Sequence, residues 1–584
     1  MGRYLVNTMA PKEVVQKVSH REHILLRPDS YVGSTPQQQD VFWVKEMGSD
    51  RFVKKKQTVS PALLKIFDEI LVNAIDRNTS HPKEVKKIEV TLSATGHLTV
   101  VNNGPLGGIS VEQHPTEKLW NPELTFGHLL TSTNYDDSQE KIVGGRNGYG
   151  AKLANVYSKE FEVRILDGKN KKEYRQMWRD NMSQKEDATV SSYRKTANEV
   201  SITFLPDWER FGMTGLTADF SRLVEKRVWD ASFYTSGCRV FWQGEELPKL
   251  DIKTYARMHL PPDAEVVVST QDRWQVAVAA CPNDAFEQVS WVNGVCTYKG
   301  GSHVTHVISQ VTDGVLETLG KKCTLKGHQV KNTLFVMVKS TLVNPTFSSQ
   351  VKDECTLKVG QFGSRWEPPK TFHKQVLQKT GIQAEIDALN RVKAEKELKK
   401  TDGNRLKTRL TGIPKLDDAN WAGTAKGDQC TLILTEGDSA KALAVAGLTV
   451  VGRDKYGVFP LRGKPKNIRD CSAEQVTANA EFNAVKQILG LKHGHTYTSL
   501  KELRYGRMMI MTDADNDGSH IKGLVLNNIH AFWPELINLG FVVSMVTPII
   551  KATKGTQNKW FFTENAYREW WDTRPQGWKI KYYK

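Results

Sequence analysis

Long apolar runs, paired cysteines and a secretory leader are all missing from this sequence of 584 residues. No stretch approaches the roughly 18 apolar residues that a membrane-spanning helix needs. The seven cysteines are scattered and form no Cys-x-x-Cys pair, which argues against a disulfide framework or a zinc site and predicts reduced thiols inside a cell. The N-terminus has no apolar leader segment. We therefore expect neither a membrane protein nor a disulfide-rich secreted one.

Acidic residues are also outnumbered: 81 lysines and arginines stand against 65 aspartates and glutamates, a formal net charge of +16. This excess favours a polyanionic partner, nucleic acid first, although many basic proteins never bind DNA. The apolar share of 39% and the charged share of 25% are ordinary for a globular protein. The length predicts several domains.

The sequence MMIMTDADNDGSH is the most acidic strand end in the chain. Met508 to Met511 has the pattern of a buried strand, and Asp513, Asp515 and Asp517 follow it at alternate positions. In an extended segment these side chains point the same way and repel one another unless a cation lies between them. Oxygen ligands of this kind suit Mg²⁺. The alternative is an Asp-rich surface turn.

A second strand end carries a further acid. Thr431 to Thr435 is apolar, and Glu436 follows it directly, ahead of a predicted helix from Ala440 to Ala446. Alone, such a glutamate is a common helix-start residue. After the aspartates, Gly518 predicts a turn, and Ile521 to Trp533 reads as another helix. Two strand ends of one α/β unit can bring Glu436 and the aspartates to a single metal site.

An amphipathic helix is predicted from Pro61 to Asn78, with Ser60 as its cap. Apolar residues cover one side, and Glu69, Asn73 and Asp76 fall together on the other. An acid and an amide four residues apart can polarise a water and hold Mg²⁺ through the amide oxygen. The alternative is that this stripe is the solvated face of an ordinary helix.

Two glycine-containing segments follow. Predicted strands from Ile88 to Leu92 and from Leu98 to Val101 lead into Asn102, Asn103 and Gly104, which alone is also consistent with a simple turn. Residues 144–152, GGRNGYGAK, can turn successive backbone N–H groups toward one anion, with a helix beginning near Ala151.

The order of these motifs resembles two known families. Glu-x-x-x-Asn, the Asn-Asn-Gly turn and GGRNGYGAK resemble the GHKL ATPases, and EGDSA with DADNDG resembles the TOPRIM domain. Together with PLRGK at 460–464, the set resembles the type IIA DNA topoisomerases of the eukaryotic type, over nearly the whole chain. The sequence departs from that pattern in NNGPLGG, which has extra residues, and in Gln350-Val351-Lys352, where the family has threonine in the middle.

The resemblance implies roles for individual residues. Glu69 is expected to be the general base, Asn73 a Mg²⁺ ligand, Asn102 the adenine contact and Lys352 the γ-phosphate contact, so ATP and Mg²⁺ are the implied cofactors. The remaining ATP-binding residues implied are Ser132, Thr133, Asn134, Gly145, Arg146, Asn147, Gly148, Tyr149, Gly150, Ala151, Lys152 and Gln350. The second metal site would comprise Glu436, which is also implied to be catalytic, and Asp513, Asp515 and Asp517. The DNA contacts implied are Lys321, Lys322, Arg462, Lys464 and Asn467.

The resemblance also implies an α+β and α/β multidomain fold. A GHKL ATPase sandwich is expected at 1–247, a ribosomal S5-like transducer at 248–400, a linker at 401–428, a Rossmann-like TOPRIM domain at 429–546 and the start of a further segment at 547–584. In the family a winged-helix domain with the DNA-cleaving tyrosine comes later, and we do not expect Tyr582 or Tyr583 to replace it.

The function implied is ATP-dependent passage of one DNA duplex through a transient double-strand break in another. The same resemblance implies double-stranded DNA as the partner and a homodimer that closes through its ATPase domains. It implies no membrane contact and a nuclear location, with an organelle as the alternative. Two rivals stay open. A stand-alone GHKL ATPase or chaperone leaves the acidic strand ends without a role, and a TOPRIM nuclease or primase leaves the predicted ATP pocket without one.

Overall fold

The computed structural model describes residues 15, 17–131, 140–144, 148–283, 285–320, 323–469, 471–573 and 575–583. The chain divides into two compact units, Met1–Asp387 and Ala388–Lys584. Over the described residues, no helix is both long and apolar enough to cross a membrane. The seven cysteines are all free thiols.

The first part of the first unit is a large mixed sheet with helices packed on it. Its elements are α1 His20–Leu26, β1 Gln38–Lys45, β2 Phe52–Val59, α2 Pro61–Ser80, β3 Lys87–Leu92, β4 Leu98–Asn103, α3 Asn121–Gly127, α4 Gly150–Val156, β5 Ser158–Asp167, β6 Lys172–Arg179, β7 Gln184–Lys185, β8 Thr189–Ser192, β9 Glu199–Pro206, α5 Ala218–Tyr234, β10 Arg239–Trp242 and β11 Glu245–Glu246. The sheet runs β11-β10-β3-β4-β9-β5-β6-β7, with β8 paired to β6. Helix α2 packs on β4, α4 and α5, and so lies in the core.

The second part of this unit is a smaller sheet with its own helices. Its elements are α6 Ile252–Arg257, β12 Val267–Gln271, β13 Trp274–Ala280, β14 Glu287–Val292, β15 Val295–Cys296, β16 Gly300–Gly301, α7 Ser302–Leu319, α8 Gly327–Lys331, β17 Leu334–Ser340, β18 Glu354–Cys355, α9 Phe372–Lys379 and α10 Ile382–Lys399, the last of which continues into the second unit. The strand order is β12-β13-β17-β14-β15.

The second unit is built on a four-stranded parallel sheet. Its elements are β19 Thr431–Thr435, α11 Asp438–Val451, β20 Tyr456–Pro460, α12 Ala473–Thr477, α13 Ala480–Leu489, β21 Arg507–Met511, α14 Asn516–Phe532, α15 Pro534–Asn538, β22 Val542–Ser544, β23 Ile550–Lys554, β24 Gln557–Phe561, α16 Glu564–Trp571 and β25 Lys579–Tyr582. The order β20-β19-β21-β22 is followed by a separate antiparallel sheet, β24-β23-β25. The predicted α+β and α/β multidomain class is confirmed.

Local corrections concern turns and helix starts. Helix α14 begins at Asn516, five residues earlier than predicted, so Gly518 lies inside the helix and makes no turn. A side chain at Gly518 would collide with the carbonyl oxygen of Asp513, which explains the glycine. The Asn293-Gly294 pair, both with positive φ, closes a two-residue hairpin between β14 and β15.

Candidate active site and acidic strand edge

Helix α2 forms one wall of a cavity of about 780 Å³ in the first unit. Pro61 occupies the first turn, and the hydroxyl of Ser60 accepts a hydrogen bond from the N–H of Leu63, as the sequence predicts. The predicted residues that line the cavity are Glu69, Asn73, Asn102, Gly148, Tyr149, Gly150, Ala151, Lys152, Gln350 and Lys352. The polar stripe of α2 is therefore the wall of a pocket and not an ordinary solvated face.

The carboxylate of Glu69 is buried between two ammonium groups. Lys352 Nζ lies 3.0 Å from Glu69 Oε1, and Lys65, one turn earlier on α2, contacts the same oxygen. Burial alone raises the pKa of Glu69, but the charges of Lys352 and Lys65 outweigh it and lower that pKa to about 2. In this state Glu69 is ionised and firmly paired, so it is a weak base.

Lys352, which lines the cavity, has an uncommon backbone conformation. Its φ is 63°, and its N–H donates to the carbonyl of Ser349 at 3.1 Å. Few residues other than glycine adopt this left-handed region. Burial lowers the pKa of Lys352, and attraction to Glu69 outweighs this, so the pKa is raised overall. The neighbouring Val351, where the family has threonine, packs against Gly33.

Residues 140–144 join the two parts of this unit beside the pocket. The N–H of Gly144 donates to Asp76 Oδ1 on α2 at 2.9 Å, and its carbonyl accepts from Lys352 Nζ at 3.2 Å. Lys141 exchanges two hydrogen bonds with Asn344, through the backbone at 2.9 Å and the side-chain oxygen at 3.3 Å. The segment thus connects the Lys352 side of the pocket to α2.

The side of the cavity that contains Asn102 is built on β4. Asn102 lines it, while Asn103 turns away and accepts from the N–H groups of Lys86 and Lys87 at 2.8 and 2.9 Å. Within NNGPLGG, Gly108 reaches the cavity wall. Gly107, with φ 57°, packs beside Arg77, whose guanidinium donates to the carbonyl of Leu106 at 2.9 Å.

The structure describes the glycine loop, residues 144–152, at Gly144 and from Gly148 to Lys152. Gly150 opens α4 directly against Glu69, where any side chain would collide with the carboxylate. Lys152 is buried, and its ammonium donates to the carbonyls of Thr131 and Gly148 at 2.6 and 2.7 Å. Burial lowers the pKa of Lys152 to about 8. Lys152 therefore supports the loop from inside. The predicted residues that lie outside the described part of the chain are Ser132, Thr133, Asn134, Gly145, Arg146, Asn147, Lys321 and Lys322.

Two acidic residues of the second unit follow neighbouring strand ends at one edge of its sheet. In the parallel pair β19–β21, Thr435 is opposite Met511, so Glu436 and Asp513 follow neighbouring strand ends. Glu436 is half-buried, and Asp513, Asp515 and Asp517 are exposed. Their oxygens are of the kind that divalent cations prefer.

The aspartates do not extend along one strand as expected. The chain bends after Asp513, Asp515 caps α14 by accepting from the N–H of Gly518 at 2.8 Å, and Asp517 lies in the first helical turn. Asp517 pairs with Lys464 at 2.9 Å. Within the described part of the chain, no three His, Cys, Asp or Glu side chains are grouped to hold a metal ion. The four-acid metal site is not assembled in this geometry.

The predicted DNA-contact residues near this edge have partners within the protein. The N–H of Arg462 donates to Glu481 at 2.6 Å, and Asn467 Oδ1 accepts from Asn527 at 2.8 Å. Their role in binding DNA stays a prediction.

Sequence reasoning missed the residues that surround Glu69. Lys65 was not singled out, although its i, i+4 spacing to Glu69 was a usable signal. Asp76 was placed on the polar stripe, but its bond to Gly144 joins residues far apart in sequence. The contact of Gly150 with Glu69 is likewise visible only in the fold.

Known proteins resemble this chain along most of its length. The family model for DNA gyrase B matches residues 245–397, and that for the Toprim domain matches 431–545. The probable DNA topoisomerase 2 of Dictyostelium discoideum is 44% identical over 98% of this chain, and the DNA topoisomerase 2 of Saccharomyces cerevisiae is 42% identical over 97%. The chain spans 38% and 41% of these two relatives, about two fifths of their length.

Solved structures agree over the first unit. The ATPase region of Saccharomyces cerevisiae topoisomerase II matches with a TM-score of 0.60 and 37% identity, over 64% of this chain and 98% of that one. The ATPase and transducer domains of DNA topoisomerase II from Balamuthia mandrillaris match with a TM-score of 0.62 and 38% identity, over 66% of this chain and 99% of that one.

Proposed function

This chain belongs to the DNA topoisomerase II family, and on that premise we propose that its first unit binds and hydrolyses ATP while its second unit contributes a metal site to DNA cleavage and rejoining. The whole enzyme would pass one duplex through a transient double-strand break in another. The convergence of Glu69, Asn73, Asn102 and Lys352 on one cavity carries this proposal. A nuclear location, with an organelle as the alternative, and ATP-driven closure of a homodimer around DNA belong to the same proposal.

In the ATP pocket, Asn102 would bind the adenine amino group, and the amide oxygen of Asn73 would bind the Mg²⁺ that accompanies the triphosphate. Lys352 would leave Glu69 for the terminal phosphate, because a phosphate offers more negative charge than a carboxylate. The pKa of Glu69 would then rise from about 2, toward values at which a carboxylate accepts a proton from water more readily. Nucleotide binding would in this way activate the base that hydrolysis requires.

In the second unit, Mg²⁺ would be held by Glu436, Asp513 and Asp515, with Asp517 released from Lys464. Their oxygens suit this cation, and the strand register places two of them at one edge. Bound there, Mg²⁺ would stabilise negative charge on the phosphate of a DNA strand. The DNA contacts would be made to phosphates rather than to base edges, by Arg462, Lys464, Asn467, Lys321 and Lys322. DNA binding should then have little sequence specificity, and its affinity should fall steeply with salt.

Replacing Glu69 by Gln tests the pocket. The variant keeps the size of the side chain, and we expect at least a 100-fold loss of ATP turnover with nucleotide affinity changed less than about fivefold. Turnover is measured by phosphate release and affinity with a fluorescent, non-hydrolysable analogue. Unchanged turnover in a folded Glu69→Gln variant would refute the assignment of the base.

The purified chain also separates the proposal from its rivals. If the proposal holds, this chain should hydrolyse ATP and should dimerise with a non-hydrolysable analogue in sedimentation. It should leave supercoiled plasmid intact with Mg²⁺, because neither Tyr582 nor Tyr583 is expected to attack DNA. Efficient plasmid cutting would favour a TOPRIM nuclease. ATP turnover together with dimerisation, but with no effect of DNA on either, would favour a stand-alone ATPase.

A further inference from the structure

Glu69 has a second cationic partner that the proposed function does not use. Lys65 lies one turn before Glu69 on α2, and the two side chains are 4% and 8% exposed. A lysine this deeply buried is rare unless it is paired. Its ammonium contacts Oε1 of Glu69, the oxygen that Lys352 also approaches. Two ammonium groups therefore share one buried carboxylate oxygen.

The charged groups around this cluster have other partners. Asp68, next to Glu69 on α2, is bound by Arg227 of α5, with Nη2 and Nε at 2.5 and 2.7 Å from Oδ1. Asp76 faces Gly144, and its charge acts on Lys352. From α4, Gly150 fills the space beside Glu69 and Lys152 donates to backbone carbonyls. The cationic partners of Glu69 that the structure describes are thus Lys65 and Lys352.

The two lysines differ in how they are held. Lys352 sits on an irregular turn after Ser349 and belongs to the second part of the unit. Lys65 belongs to the same helix as Glu69, four residues away, so their distance does not depend on that turn. If Lys352 moves to a phosphate, a buried carboxylate without a cation is costly and tends to take up a proton. Lys65 is placed to prevent this.

We propose that Lys65 is a positioning residue for Glu69, which keeps the carboxylate oriented and ionised once Lys352 has moved to the terminal phosphate. This inference rests on the proposed ATPase function. Lys65 is not among the residues that line the cavity, and in this role it acts through Glu69 alone. Burial lowers the pKa of Lys65, attraction to Glu69 opposes this, and the net pKa stays below the usual range, as expected for a cation kept in a closed interior.

The test compares Lys65→Met and Lys65→Arg with the wild type in ATP turnover between pH 5 and pH 9. For Lys65→Met we expect kcat near pH 7.5 to fall at least about 10-fold while KM for ATP changes less than about threefold. The acidic limb of the kcat profile should move to higher pH by about one unit, because Glu69 loses the charge that keeps it ionised. Lys65→Arg should keep the limb near its wild-type position.

A matched control exists in the same unit. Lys226 of α5 is also buried and forms an i, i+4 pair with Asp230, with Nζ 2.6 Å from Oδ1, but neither residue lines the cavity. Lys226→Met should lower the melting temperature without moving the acidic limb. If Lys226→Met also moved the acidic limb of the kcat profile, the shift would be a general result of removing a buried charge. That outcome would overturn the proposal.

Folding is checked by circular dichroism, and if Lys65→Met does not fold, Lys65→Gln takes its place with a neutral side chain of similar length. A folded, neutral variant with wild-type kcat and an unmoved acidic limb would refute the role of Lys65. ATP turnover of the wild type and of Glu69→Gln is measured in the same experiment as that of the Lys65 variants. If the wild type has no turnover, the proposed function itself fails; if Glu69→Gln alone is inactive, only the inference about Lys65 fails.

Discussion

The ATP pocket and the acidic strand edge both depend on carboxylates, but they balance those charges differently. In the pocket, buried Glu69 has two lysines of the same chain as counter-ions. At the edge, Asp513 and Asp515 are exposed to water, and the ion pair described for Lys464 is with Asp517. Burial without a cation costs several kcal/mol, whereas exposed acids tolerate their mutual repulsion. The protein therefore supplies the counter-ions of the buried pocket itself, whereas the exposed edge can remain charged in water, and the Mg²⁺ proposed for it would come from solution.

The largest effect is expected from Lys352→Met. Loss of the phosphate contact should reduce ATP turnover about 1,000-fold, since one preorganised donor to a developing charge is worth roughly this much. Turnover is measured by phosphate release. Lys358→Met, which removes an exposed lysine six residues later, is the control and should stay within twofold of wild type. Equal losses in both variants would show that overall charge, not the pocket, is being measured.

Acid should weaken the first unit through Glu69. The folded pKa of about 2 lies below the ordinary value of 4.5, so the pairing contributes stability above pH 4.5 that is lost as the pH falls toward 2. The full loss is about 3 kcal/mol. Urea unfolding is measured from pH 6 to pH 3 on the transition that an ATP analogue stabilises. Glu69→Gln should show a shallower decline, and identical declines would contradict the low pKa.

At the acidic edge, Mg²⁺ without nucleotide should stabilise the second unit by about 2 kcal/mol near 30 times its dissociation constant. Asp513→Asn should remove most of this gain, because it removes one ligand charge. The measurement is thermal unfolding with and without Mg²⁺. Glu569→Gln, an exposed acid on α16, is the matched control and should keep the gain. Retention of the full gain in Asp513→Asn would place the cation elsewhere.

The smallest expected effect is a change in the free energy of unfolding at Asp515, where two variants distinguish helix capping from metal binding. In metal-free buffer, Asp515→Ala should cost about 1 kcal/mol, because α14 loses the acceptor for the N–H of Gly518, while Asp515→Asn keeps that acceptor and should cost much less. Both should bind Mg²⁺ less well. Urea unfolding in EDTA measures the difference, and equal costs would mean that the cap contributes nothing.

The sequence predicts secondary structure well where the residues that determine it are close together in the chain. The periodicity of α2, its Ser60 cap and the apolar strands β19 and β21 are set by neighbours within a few residues, and each was predicted close to its observed bounds. Motif order suggested that Asn102, Lys352 and Glu69 belong to one site, and all three line the same cavity. Their individual roles stay predictions.

The misses involve long-range geometry. The bond between Asp76 and Gly144, and the pairing of Lys352 with Glu69, which are 283 residues apart, depend on how distant segments pack. At the acidic edge, the alternating aspartates predict an extended segment. In the structure Asp515 caps α14 instead, so the helix begins five residues earlier than predicted. The positive φ of Lys352 could not be predicted either, because a lysine in the sequence does not indicate this backbone conformation.

That backbone conformation restricts position 352 twice over. A β-branched replacement would conflict with φ near 63°, whatever its chemistry, whereas glycine or asparagine would fit the chain path and lack the charge. Arginine satisfies the charge, but its larger planar guanidinium would have to replace an ammonium that contacts both Glu69 and the carbonyl of Gly144. A saturation library at this codon should therefore return lysine almost alone, through two filters that act independently.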